Sequence, residues 1–225
     1  MIERPILFSA PMVVALLEGR KTQTRRIIKG DPFVVEVDYL KHNFDFDGNQ
    51  SVEKTGEGKI IYTKKGVTAC PYGKVGDRLW VKETWKTDQV WDHLPPRGIP
   101  EDQSIYFCAD EDATGCVPFD WGKSRPSIFM RRWMSRITLE IVSIRVERLH
   151  EISEEDVIAE GVDPCEALLG SDDIMVGAVA DNYQVSKPKA RFILLWNKIN
   201  GEKHSFESNP FVWVIEFKRV ERGDA

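Results

Sequence analysis

The sequence predicts a mixed α/β, mainly β domain, built as a small mixed or antiparallel barrel with a few peripheral helices. Segments with strand character dominate, and the helical segments are short. They do not alternate regularly with long helices, which is the arrangement that a doubly wound parallel sheet requires. With 225 residues, 42% of them hydrophobic, the chain can bury a sizeable core. Residues 1–225 are interpreted as a single domain with insertions at about 30–74, 86–126 and 163–186.

The first predicted elements are a short strand and a helix. Residues 6–8 are apolar and strand-like, and Ser9 is a candidate cap for the helix that follows. Pro11 suits the first helical turn, and Gly19 suits the end of the helix. Residues 20–28 are polar and compatible with a strand.

Two of the insertions contain strand-like pieces. Residues 30–74 are rich in Gly, Asp and Lys, and we interpret them as a hairpin-like excursion with alternating pieces near 33–37 and 59–63. Residues 86–126 contain several prolines and predict a loop region with one short strand at 104–109.

The second half of the chain predicts the longest strands and two helices. A short helix begins with a capping box at Ser153 and ends at Gly161, and a second, amphipathic helix covers 190–199. Residues 163–186 between them are interpreted as a loop. The remaining strands are predicted at residues 79–85, 135–149 and 211–217.

The charge pattern excludes a protein that coats nucleic acid through bulk charge, because the formal net charge is −5. The basic side chains are concentrated in two segments of the chain. Residues 1–29 carry six basic and two acidic side chains, and residues 121–148 carry seven basic and two acidic ones, whereas residues 87–120 carry one basic and eight acidic side chains. The two positive segments either line one anionic site or form separate solvated faces.

The N-terminal residues show no basic stretch followed by an apolar one, and no apolar run reaches the length of a membrane span. We therefore expect a cytoplasmic protein without a membrane partner, and we expect its four cysteines to be reduced. The cysteines and histidines lack metal-ligand spacing, and no P-loop or dinucleotide fingerprint is present, so neither a metal nor a cofactor is expected.

One basic segment after the first helix carries the densest set of functional side chains. Its arginines suit phosphate or another anion, and a lysine close to a threonine suits nucleophilic chemistry, since an unprotonated amine can accept the hydroxyl proton. A regular strand would place Lys21 and Thr24 on opposite faces, so their pairing requires Lys21 to lie in the preceding turn. The segment is Gly19-Arg20-Lys21-Thr22-Gln23-Thr24-Arg25-Arg26.

This segment and three others, in their order along the chain, resemble the ASCH domain family. That resemblance implies a PUA-like β-barrel, a fold shared with RNA-binding modules, over about residues 4–221. The insertions are longer than in compact members, and the long form resembles ASCH proteins carried by phages and prophages. The three other segments are Val75-Gly76-Asp77-Arg78-Leu79-Trp80-Val81, residues 153–161 and Val212-Trp213-Val214-Ile215-Glu216-Phe217.

One branch of this family hydrolyses the acetyl amide of N(4)-acetylcytidine with a threonine nucleophile, a lysine base and a glutamate. The resemblance assigns these roles to Thr24, Lys21 and Glu160, although Glu154 and Glu155 lie close to the last position. Arg26 matches the basic residue that closes the motif and is expected to stabilise developing negative charge.

The alternative expectation is a non-catalytic module that binds RNA, single-stranded nucleic acid or a modified base. Besides Arg20, Arg25 and Arg26, it would use an arginine-rich segment with aromatic residues, since single strands are held by base stacking and phosphate contacts. Glu83 is expected to line the same cleft; it is either a buried carboxylate paired with Lys21 or an arginine, or a strand-end residue turned to solvent. The residues of the basic segment singled out for binding are Arg131, Arg132 and Trp133.

Overall fold

The computed structural model describes residues 1–30, 33–36, 59–63, 66–67, 69–110, 121–163 and 171–220. The first strand lies at one edge of the main sheet, and the helix that follows it leads into the strand at the opposite edge. The strands are β1 (Glu3–Leu7), β2 (Gln23–Ile27), β3 (Phe33–Glu36), β4 (Lys59–Thr63), β5 (Gly66–Val67), β6 (Arg78–Lys82), β7 (Trp85–Lys86), β8 (Tyr106–Phe107), β9 (Thr138–Arg148) and β10 (Phe211–Val220). The principal helices are α1 (Ala10–Leu17), α2 (Glu154–Ala159), α3 (Ser171–Tyr183) and α4 (Lys187–Asn200).

The main sheet has five strands in the order β1-β6-β9-β10-β2 and is mixed, because β1 and β6 run parallel while the other neighbours are antiparallel. The mixed α/β class is therefore confirmed, but the predicted closed barrel is wrong. No hydrogen-bonded ladder joins the edge strands β1 and β2 in the described residues. The Arg26 side chain spans the gap instead and donates a hydrogen bond to the Leu7 carbonyl at 2.8 Å.

Both faces of the sheet are covered, which explains the nearly continuous apolar sequence of β10. Trp213, Ile215 and Phe217 face the cluster formed with α1, and the alternate residues Val212 and Val214 face a second cluster. The second cluster contains residues of α2 and α4, namely Val157, Phe192, Ile193 and Trp196. The two helices are thereby fixed against the sheet next to β2.

The local signals at the helix ends are largely confirmed. Gly19 follows α1 with a φ of +77°, a conformation that glycine adopts without steric cost. Pro11 lies in the first turn of α1, and the Ser153 hydroxyl accepts a hydrogen bond from the Asp156 amide at the start of α2. Ser9 occupies the N-cap position of α1, but its side chain makes no capping hydrogen bond.

The insertions agree with the sequence in part. Strands β3 and β4 pair antiparallel, as expected of a hairpin-like excursion, while residues 37–58 lie outside the described residues. The strand expected at 104–109 is limited to β8.

The prediction of a loop over 163–186 is wrong for the thirteen-residue helix α3. This helix packs on α4, and Val176 is buried. Its Asp, Asn and Gly residues have low helix propensity, so the sequence does not indicate a helix here. The packing on α4 stabilises the helical conformation. Residues 164–170 of this insertion lie outside the described part. Among the described residues, no helix combines the length and the apolar character needed to cross a bilayer.

Candidate functional site

Lys21 lies in the turn between Gly19 and strand β2, as the pairing with Thr24 requires, and its side chain is fully buried. The ammonium donates to the Gln23 carbonyl at 2.8 Å, the Glu160 carbonyl at 2.6 Å and the Glu160 carboxylate at 3.0 Å. Three acceptors match the three N–H donors of a protonated amine. Burial lowers the pKa of Lys21 below its ordinary value, and the Glu160 carboxylate opposes that shift.

Glu160 lies beside Lys21 because it directly follows helix α2. It occupies the C-cap position, and its backbone carbonyl and carboxylate both face the same ammonium. The other carboxylate oxygen accepts a hydrogen bond from Arg25 at 3.3 Å. Glu160 is thus held between two cations, and its side chain is only 7% exposed.

Thr24 and Arg26 share one face of β2 by strand alternation. The Lys21 ammonium and the Arg26 guanidinium lie 5.3 and 5.4 Å from the centre of the Phe8 ring, so both cations belong to the side of the strand on which Phe8 lies. Thr24 is buried and is held opposite Ile215 of β10. In the part of the chain that the structure describes, no hydrogen bond joins the Thr24 hydroxyl to the Lys21 ammonium.

Thr24, Arg26 and Glu160 line one small cavity of about 60 Å³. Such a space accommodates a few water molecules or a small polar group. Its apolar wall comes from helices α1 and α4. The residues that form this wall are Met12, Phe192, Leu195, Trp196 and Ile199.

Arg25 points to the other face of β2 and is fully buried in a network of carboxylates. It donates to Glu147 at 3.0 Å and to Asp156 at 2.6 Å, in addition to Glu160. Arg145 contacts Glu147 and Asp156 as well. Burial acts to raise the pKa of Asp156, but the hydrogen bond from Gln23 and the charges of Arg25 and Arg145 outweigh it and hold that pKa below its ordinary value.

This network was not found by sequence reasoning. The sequence predicts Asp156 at a helix start and Arg145, Glu147 and Gln23 in strands, and it indicates no contact among them. The one available signal is the presence of charged residues at inward positions of strands, because a buried charge requires partners. The sequence does not say which partners meet, since they come from β2, β9 and α2. Arg25 is expected from the sequence to contact an external anion. Its guanidinium is paired with these carboxylates, although Arg25 also lines the small cavity.

Gly161 fixes the approach of Glu160 to Lys21. Its φ is +94°, and a Cβ atom at this position would lie 3.0 Å from the Ala15 Cβ and 3.1 Å from the Lys21 Cβ. Sequence reasoning used Gly161 only as a helix end and missed this close contact.

Gly161→Ala is expected to lower the melting temperature and to displace Lys21, because it combines backbone strain, worth about 1–3 kcal/mol, with a clash against the Lys21 side chain. The matched control is Gly76→Ala, since Gly76 also has a positive φ, of +86°, but has no atom within 4 Å of the added Cβ. Thermal unfolding is measured for both variants. An equal loss of stability in both would show that the contact between Gly161 and Lys21 adds nothing to the backbone strain.

A larger groove of about 900 Å³ adjoins the small cavity, and Met12, Glu160 and Leu195 line both. It lies among α1, the end of α2, α3 and α4. Arg20 lines this groove, where its guanidinium donates to the Gly161 carbonyl and is paired with Glu18.

Four of the predicted binding residues lie outside both spaces. Glu83 is buried and paired with an arginine, Arg136, at 2.9 Å, and not with Lys21. Burial raises the pKa of Glu83. Arg131 is exposed, Arg132 is paired with Glu3 at 2.7 Å, and Trp133 packs against a separate cluster around Trp85. The structure therefore does not bring these four residues to the Lys21 site.

Comparisons of the chain with protein-family models, with curated proteins and with solved structures found no match. Within the described ranges, no group of three or more His, Cys, Asp or Glu side chains is arranged to hold a metal ion. The reactive groups at the site are the side chains of Lys21, Thr24 and Glu160.

Proposed function

We propose that the protein hydrolyses the acyl amide of an N(4)-acetylcytidine-type substrate, with Thr24 as nucleophile, Lys21 as base and Glu160 as proton carrier. The observation that carries this proposal is the buried contact of 3.0 Å between the Lys21 ammonium and the Glu160 carboxylate, at a cavity that Thr24 also lines. A buried lysine and a carboxylate beside a hydroxyl are the groups that amide hydrolysis by a threonine requires.

The resting ion pair supplies the base by an internal proton transfer. When a substrate displaces water, the Lys21 proton passes to Glu160, and the pair becomes a neutral amine and a carboxylic acid. The Thr24 oxygen attacks the acyl carbonyl and its proton goes to Lys21. The protonated Glu160 then gives its proton to the departing cytosine amine, which leaves an acyl ester on Thr24 and restores the ion pair. Water hydrolyses the ester to the free acid and Thr24.

Arg26 is placed to stabilise the oxyanion formed by this attack. It shares a strand face and a cavity with Thr24, and it is anchored to the Leu7 carbonyl. Its Nε–H is buried and has no hydrogen-bond partner among the described residues. A guanidinium held at a developing negative charge lowers the barrier most where water is excluded.

The resemblance of the sequence to ASCH proteins supports the same proposal, and we propose that the fold is an open variant of the PUA-like architecture. The mixed sheet and the position of the motif after α1 are compatible with it.

The first test is incubation with N(4)-acetylcytidine at a series of pH values. We expect release of cytidine and acetate, with kcat/KM falling at high pH as Lys21 loses the proton that the mechanism passes to the leaving amine. Because burial lowers the pKa of Lys21, the midpoint of the fall should lie below the ordinary lysine value of about 10.4. N(4)-methylcytidine, which has no acyl group, is the control substrate and should stay intact. Absence of cytidine release at every pH would overturn the proposal.

The second candidate function is non-catalytic binding of single-stranded nucleic acid. The observation that favours it is Phe129, which is 56% exposed and lies close in sequence to the exposed Arg131. An exposed ring beside a cation can stack a base and contact a phosphate. Binding of a short RNA that weakens with salt and with Phe129→Ala, without any turnover of N(4)-acetylcytidine, would favour this function.

A further inference from the structure

The small cavity beside Thr24 has one polar wall and one apolar wall. The polar wall includes Thr24, Arg26 and Glu160, and the apolar wall comes from side chains of α1 and α4. An acyl group has the same two-sided character, because its carbonyl is polar and its alkyl chain is not. Water molecules in this space would gain no hydrogen bond from the apolar wall. The cavity therefore matches an acyl group better than it matches a purely polar occupant.

The walls of the cavity are held in place by contacts outside it. Phe192 and Trp196 belong to the buried cluster on one face of the sheet, and the Trp196 indole N–H donates to the His204 carbonyl at 2.8 Å. In the polar wall, Arg26 is anchored to the Leu7 carbonyl. Because protein interiors are close-packed, such side chains resist displacement, and an occupant has to fit the space that is present.

The volume of the cavity, about 60 Å³, suits an acyl group of two carbons. A cavity of about 150 Å³ holds a benzene ring with its six carbon atoms. At the same density, about 60 Å³ holds about two or three such atoms, and an acetyl group has three. Each further methylene group of a longer acyl chain therefore has to displace a wall.

The residues that line the two neighbouring spaces indicate which part of a substrate enters the cavity. Glu160 lines both the cavity and the groove of about 900 Å³, whereas Thr24 lines only the cavity. In the proposed reaction Thr24 attacks the acyl carbon and Glu160 protonates the departing amine. The scissile amide then lies at the junction of the two spaces, with the acyl group in the cavity and the cytidine in the groove.

We infer that the small cavity is an acyl-binding site that selects acetyl over longer acyl groups, and that Leu195 and Ile199 set this limit. The inference rests on the proposed function for the orientation of the substrate. Both residues line the cavity, and because they are four positions apart they lie on one face of α4. Neither is fully buried, so this part of the wall can be shortened without emptying the core.

The test compares the hydrolysis of N(4)-acetylcytidine with that of N(4)-butyrylcytidine. We expect the wild-type kcat/KM to be at least about tenfold higher for the acetyl compound, since one methylene group in a hydrophobic pocket changes this ratio by about 10–200-fold. Leu195→Ala should reduce the preference about tenfold by enlarging the cavity. Ile199→Ala, at a residue that lines the cavity and not the groove, should change the preference in the same direction.

The matched control is Leu194→Ala. Leu194 is the neighbouring leucine of α4 and is half-buried like Leu195, but it lines the groove and not the small cavity. Any contact that it makes with the cytidine is common to both compounds and cancels in their ratio, so the acetyl preference should stay unchanged. A change of this preference in Leu194→Ala, without one in Leu195→Ala and Ile199→Ala, would place the acyl group in the groove and overturn the inference.

Binding distinguishes a failure of this inference from a failure of the proposed activity. Both compounds are titrated by calorimetry into Thr24→Val, which cannot form the acyl ester. If the wild type hydrolyses neither compound, a tenfold tighter binding of the acetyl compound that Leu195→Ala abolishes in the same background would retain the acyl site and refute only the activity. Hydrolysis of both compounds with equal kcat/KM would retain the activity and refute the acyl site. If neither compound is bound or hydrolysed, both proposals are wrong.

Discussion

Thr24→Val is expected to reduce the rate of cytidine release by a factor on the order of 10⁴ or more, because it removes the nucleophilic oxygen while keeping the branched shape of the side chain. Its effect on stability should be below about 1 kcal/mol. The Thr24 hydroxyl makes no hydrogen bond with Lys21 in the described residues, and valine keeps the branched shape of the buried side chain, so little packing is lost. Turnover and thermal unfolding are measured together.

The control is Thr24→Ser, which keeps an oxygen at the same position and should retain part of the turnover. A mass measurement after a brief exposure to substrate tests the covalent step, since the acetyl ester should form on the wild-type chain and be absent from Thr24→Val. Full turnover by the valine variant would exclude Thr24 as the nucleophile, and the arrangement of Lys21 and Glu160 would then need another role.

The parts of the site that sequence reasoning could predict are those with local causes. Gly19 predicts the end of α1, and it has a positive φ, but residues 20–28 are all compatible with a strand. The structure begins β2 at Gln23, and this places Lys21 in the preceding turn. The position of Glu160 came only from the resemblance. Its neighbours Glu154 and Glu155 are chemically equivalent, and the choice among the three depends on which of them ends the helix beside β2.

The parts that sequence reasoning missed depend on contacts between distant segments. The sheet closes into a barrel only if β1 and β2 pair with each other. The sequence of neither strand determines how far apart the two strands lie. Helix α3 is stabilised by its packing on α4, although its own composition is a poor helix former. The sequence leaves Glu83 either turned to solvent or buried and paired with Lys21 or an arginine, and it does not indicate which. Only the fold selects Arg136.

Arg25→Met is expected to cause the largest loss of stability, because it leaves Glu147, Asp156 and Glu160 without the buried cation that they share. Breaking a buried ion pair costs about 3–5 kcal/mol. The low end applies here, since Arg145 still contacts two of the carboxylates and Lys21 contacts the third. For a chain of this length, about 3 kcal/mol corresponds to a fall of about 6–12 °C in Tm.

The pH dependence of this loss of stability distinguishes the effect of the missing charge from the effect of altered packing. The pKa of Asp156 is held below its ordinary value in the folded protein, so its contribution to stability is present above the unfolded value of about 3.9 and disappears as the pH falls through the folded value. In Arg25→Met, Asp156 loses a charge that holds its pKa down, so the deficit in stability relative to the wild type should shrink below about pH 4. Urea unfolding at pH 7 and at lower pH measures this difference.

Arg132→Met is the matched control for the same substitution at a surface ion pair. The Arg132 side chain is 44% exposed and is paired with Glu3, and such a contact contributes about 0.2–1 kcal/mol. We expect Arg25→Met to be clearly the more destabilising of the two at pH 7. If the loss of stability is equally small in both variants, or does not change with pH, then Glu147 and Asp156 do not depend on Arg25 for their charge balance. Glu160 would then be positioned by Lys21 and the end of α2 alone.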